Sequence, residues 1–159
     1  MTARVAVRRM HLAAGLVAFA TIAVFWTSTV AVELFGSPAD VTAVKQAIPW
    51  GLFVLVPAVA ITGLSGFRLG GRSTNARVLA KKRRMPVIAG IGLVILVPAA
   101  LYLSAASGGD VGGMFYLVQA IELLAGATNL TLMSLNIRDG LRLTGRIQRT
   151  SRTVSIDRH

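Results

Sequence analysis

Four long apolar stretches, almost free of charge, organise this chain. Counted between charged residues, the uncharged runs cover positions 10–32, 46–67, 85–109 and 111–137, and Glu122 is the one charged side chain inside any of them. A membrane-crossing helix needs about 20 mostly apolar residues, so each run predicts one crossing, at about 11–34, 46–67, 85–106 and 114–137. The expected class is an all-α integral membrane protein, an antiparallel four-helix transmembrane bundle. Residues 1–10 then form a cytoplasmic N-terminal basic segment, 11–137 the membrane domain with its basic loop 68–84, and 138–159 a basic tail, partly disordered or amphipathic. The start of the chain also has the layout of a signal peptide, with a basic segment, an apolar run and the small residues Thr29, Val30 and Ala31. That run continues to Leu34 and Phe35, however, longer than the 7–15 residues of a signal's apolar region. A retained helix is the expectation.

Composition agrees with the pattern: 54% of the 159 residues are hydrophobic and only 14% charged, outside the balance of a soluble domain. The lack of cysteine excludes disulfides, thiolate metal sites, iron–sulfur clusters and a thiol nucleophile. The net charge of +11 suggests an acidic partner until its distribution is read. Arg4, Arg8 and Arg9 precede the first span, Arg68 to Arg84 separate the second from the third, and Arg138 to Arg158 follow the fourth. The other side holds Lys45 beside the acids Glu33, Asp40 and Asp110. The positive-inside rule therefore places both termini and the middle loop in the cytoplasm, in a bacterial inner membrane. Trp50, Tyr102 and Tyr116 fall near the opposite, outer face, where interfacial aromatics belong, while Trp26 lies deeper. The basic segments carry almost no aromatic residues for base stacking, so anionic lipid headgroups are the expected partner rather than nucleic acid. Lys81, Lys82, Arg83 and Arg84 form the densest basic patch, read as a solvated retention charge on a helix extending into the cytoplasm. Arginines at 138, 142, 146, 149 and 152 would share one face of an amphipathic surface helix.

The loops at 36–38 and 107–113 are short and rich in residues that end helices, which pairs the spans as hairpins. Positions 51–58 and 92–99 match at six of eight places, each with a proline in mid-span, Pro57 and Pro98. An inverted pair of this kind recurs in transporters, although apolar helices draw on so few residue types that chance resemblance explains it more simply. Each proline is expected to bend its helix and free a backbone carbonyl.

The most suggestive chemistry lies on the fourth span. Gln119, Glu122, Gly126, Asn129, Met133 and Asn136 advance by three or four residues and so share one helical face. Thr128, Thr131 and Ser134 lie nearby. Polar side chains in lipid turn toward partners or water, so this stripe belongs in the bundle interior or against another subunit. Glu122 stands eight residues past Met114, about 12 Å along the helix, and must be neutralised, hydrated or partnered. It is expected to be either a structural hydrogen-bonding acid or a proton-carrying carboxylate. Glu33 and Lys45, across a short loop, are expected to form an ion pair at the outer face. Thr27, Ser28 and Thr29 beside Trp26 are expected to bond helix backbones.

No metal or cofactor is expected. The chain has only two histidines, His11 and the terminal His159, which argues against a bis-histidine haem site within one chain. No phosphate-binding loop, dinucleotide fingerprint, metalloprotease helix or nucleophile elbow is present, so no catalytic residue is assigned and no enzymatic activity expected. The pattern is similar to the broad population of small bacterial four-helix membrane proteins, a resemblance too general to imply an activity. An accessory subunit or membrane anchor, associating with itself or with another membrane subunit, is the leading expectation. The alternative is a small oligomeric transporter that uses Glu122.

Overall fold

The computed structural model describes residues 2–71, 74–109 and 111–143. Among them there is no strand. Helix α1 is Thr2–Phe35, α2 is Pro38–Gly70, α3 is Ala76–Gly90, α4 is Val97–Ala106 and α5 is Gly113–Leu143. A π-helical segment, Ile91–Leu96, joins α3 to α4, so that 76–106 forms one continuous crossing. Four helices are thus long and apolar enough to cross a membrane, the mark of a multi-pass membrane protein. At 1.5 Å per residue the shortest of the four is about 46 Å long, more than the hydrocarbon thickness of about 30 Å, so the helices run past the apolar runs into charged sequence. The cluster Arg77 to Arg84 lies on α3, and α5 carries Arg138 and Arg142 before it ends. The tail arginines at 146, 149 and 152, like Asp110 and Arg72, lie outside the described residues.

Local chemistry sets the boundaries. Between α1 and α2, the Ser37 hydroxyl accepts the Asp40 N–H at 3.3 Å while Asp40 Oδ2 accepts the Ser37 N–H at 2.8 Å. This reciprocal capping box, with Pro38 in the first turn where its missing N–H costs nothing, starts α2 directly after α1. The helix ends at Gly71, whose φ of 41° lies in the left-handed region open to glycine, and whose N–H bonds the Phe67 carbonyl. Asn75 caps α3 through its side-chain oxygen and the Arg77 N–H, 3.0 Å apart.

The two matching proline segments differ in structure. Pro57 sits inside α2, which continues as α-helix. Pro98 sits in the first turn of α4, directly after the π-helical segment, where the Val97 N–H reaches back to Gly92. Pro98 has no N–H of its own to offer, and the wider turn re-registers the backbone ahead of it.

Packing places a polar interior beneath an apolar exterior. Ala18, Ile22, Ala58 and Met133 form the small buried apolar core, with Phe19, Leu55, Val59, Ile88 and Leu130 against it. Thr29, Lys45, Ser65, Gln119, Asn129 and Asp139 are buried as well. Leu16, Leu34, Phe53, Leu64, Val94 and Leu124 are all more than half exposed. That inversion suits a lipid surround, in which apolar surface has no reason to hide and polar groups do. Close approach depends on glycine at two points: a Cβ at Gly51 would collide with the Phe25 ring, and one at Gly126 would lie 2.9 Å from Cδ1 of Trp26.

Candidate functional site

The stripe on α5 turns inward. Gln119, Gly126, Asn129 and Met133 are buried on one face, joined by Asp139 one step beyond Asn136. Thr128 and Thr131 stand off this face, exposed, their hydroxyls donating to the carbonyls of Leu124 and Ala127 one turn earlier. Thr27 likewise donates to the Ala23 carbonyl.

Glu122 finds its counter-charge on α2. Lys45 Nζ donates to Glu122 Oε2 at 2.5 Å, with the lysine side chain 1% exposed and the glutamate 12%. The expected pair between Glu33 and Lys45 is therefore corrected: Lys45 belongs to Glu122, and Glu33 Oε1 is buried with no hydrogen-bond partner. The reason is depth. Lys45 lies seven residues inside α2, about 10 Å from its start, and Glu122 nine inside α5, about 13 Å, whereas Glu33 is only ~3 Å from the end of α1. Neither charge of the pair would be stable alone in hydrocarbon, and each cancels the other's field.

A second pair closes the opposite end of the stripe. Arg84 Nη1 donates to Asp139 Oδ2 at 2.6 Å and more weakly to Asn136 Oδ1 at 3.4 Å. Of the basic patch, then, Arg84 turns toward α5, Lys82 donates to the Gly71 carbonyl and Arg83 is exposed. The role of Asp139 escaped the sequence reading because it was grouped with the basic tail, although its three-residue step from Asn136 continues the stripe.

Uncharged side chains tie the helices together elsewhere in the bundle. Trp26 Nε1 donates to the Leu123 carbonyl at 3.0 Å, which explains why this tryptophan is not at an interface. His11 Nδ1 donates to the Thr62 carbonyl at 3.1 Å and lies 3.0 Å from Ser65 Oγ, tying α1 to α2. Thr42 donates to the Ser107 carbonyl at 2.8 Å. Two side-chain oxygens of the stripe, Gln119 Oε1 and Asn129 Oδ1, are buried without a partner. Glu122 and Asn129 both border a cavity of about 450 Å³ whose walls are otherwise almost entirely apolar. Among the described residues, no cluster of three or more acidic or histidine side chains is placed to hold a metal ion.

Comparison with known protein families, with characterised proteins and with solved structures gives no match.

Proposed function

We propose that this chain is a multi-pass protein of a bacterial cytoplasmic membrane, an antiparallel four-helix bundle with both termini in the cytoplasm, serving as an accessory subunit or anchor of a larger membrane assembly. The observation that carries this reading is the mutual neutralisation of Lys45 and Glu122. With Arg84 and Asp139 joined in the same way, the charged groups of the stripe, expected in the bundle interior or against another subunit, are paired within the chain. What is left for a neighbour is the apolar exterior. The basic residues at one end of the helices match the positive-inside pattern and suit anionic headgroups.

A transporter of polar or ionic solutes fits less well. The internal cavity is apolar, and a proton-carrying Glu122 would have to leave a buried ammonium uncompensated in each cycle.

The test is purification of the native assembly in mild detergent, followed by native mass spectrometry with lipids retained. The accessory reading expects a second protein at fixed stoichiometry. A chain recovered alone, or only with copies of itself, overturns it.

A further inference from the structure

The cavity beside the ion pair has a definite form. Along α2 its walls run from Ile48 to Phe67, 19 residues and so about 28 Å, which makes a volume of about 450 Å³ long and narrow. That volume falls within the 300–1,000 Å³ of pockets that bury small ligands. Val56, Leu64 and Phe67 on α2 and Leu93 in the π-helical segment line it and are themselves well exposed, so the cavity opens sideways between α2 and the third crossing. In a bilayer that opening faces acyl chains rather than water.

Its floor carries the polar groups. Glu122 is the one charged residue on the walls, and Lys45 already compensates it. An occupant therefore has no net charge to answer and should be neutral. Asn129 also lines the cavity; it is 2% exposed, and its Oδ1 has no hydrogen-bond partner. A buried amide oxygen left unbonded costs about 1–3 kcal/mol, which a donor from an occupant would recover. Gly92 of the π-helical segment, which also lines the cavity, packs beside the same amide: a Cβ there would lie 3.8 Å from Asn129 Nδ2. π-helical turns inside helices are frequent at binding sites.

We infer that this cleft holds one neutral, elongated lipophile, an isoprenoid or fatty-chain alcohol, whose hydroxyl donates to Oδ1 of Asn129 and whose chain lies along α2. The site is independent of whichever protein the bundle joins.

The full chain, purified in detergent, tests this with a photoactivatable diazirine-bearing long-chain alcohol and its methyl ether, which has the same chain but no donor. Labelled peptides are mapped by mass spectrometry. The alcohol is expected to label positions 52–64 and 88–97 about threefold to tenfold more than the ether, the worth of one hydrogen bond, and Asn129→Leu should bring it down to the ether's level. Equal labelling by the two probes in the unaltered protein overturns the site without reliance on any variant. Labelling confined to exposed positions such as Leu117 and Leu124 overturns it as well. An alcohol preference that survives Asn129→Leu removes Asn129 as the acceptor.

Discussion

Lys45 and Glu122 meet because α2 and α5 carry them to matching depths, where Lys45 is 1% and Glu122 12% exposed. Removing one partner of a buried pair leaves the other charge uncompensated, a loss of about 3–5 kcal/mol, whereas replacing both with apolar residues of similar volume is often near neutral. Glu122→Gln should therefore destabilise the protein by about 3–5 kcal/mol, and the double replacement Lys45→Met with Glu122→Leu should recover most of that loss. Reversible unfolding in mixed micelles checks this as a double-mutant cycle; additive losses would show that the two residues do not act as a pair. Part of the site was legible at this scale. The three- and four-residue spacing on the fourth span found Gln119, Glu122 and Asn129 and put them on one face turned to the bundle interior or to another subunit, because helical period alone fixes a shared face. Partners are another matter, since they depend on which helices pack together. Lys45 was taken as the edge of an apolar run and so assigned to the outer face beside Glu33. The capping box at Ser37 starts the helix earlier and carries Lys45 inward.

At the scale of elements, the third crossing is the unusual one. Its length and polarity pattern were readable as a single span, and so was the continuation of helix through the basic cluster. Its π-helical segment was not, because the nearly identical segment 51–58 stays α-helical. Sequence this local does not decide between the two. A π-helical turn holds about one more residue than an α-helical turn. Deleting Val94, an exposed residue within it, should restore plain α-helix while keeping Arg84 against Asp139. Deleting the matching Phe53 in α2 instead rotates one half of that helix by about 100° relative to the other and should separate Lys45 from Glu122 or His11 from Thr62. Folded yield and thermal unfolding of the two deletions should differ sharply, the first within about 1–2 kcal/mol of the parent and the second largely unfolded, by the usual penalties for core disruption. Equal damage from both would mean that the segment is not an inserted residue.

For the molecule as a whole, charge and hydropathy already described most of the architecture: four apolar helices, with the cations gathered at the ends that lead into α1, out of α2, into α3 and out of α5. The interior was less legible. Apolar faces look alike toward lipid and toward a neighbour, so neither the cleft between α2 and the third crossing nor the approach of Trp26 to Gly126 could be read from the pattern. The central claim is that this polar interior works inside a bilayer, with the cationic ends in the cytoplasm. Because the chain has no cysteine, single cysteines at the exposed positions Ser37, Gly112 and Thr74 can be probed in intact cells with a membrane-impermeant maleimide. The account predicts labelling from outside at 37 and 112, and labelling at 74 only after the membrane is opened. Labelling of position 74 in intact cells, or protection of 37 and 112, would contradict it.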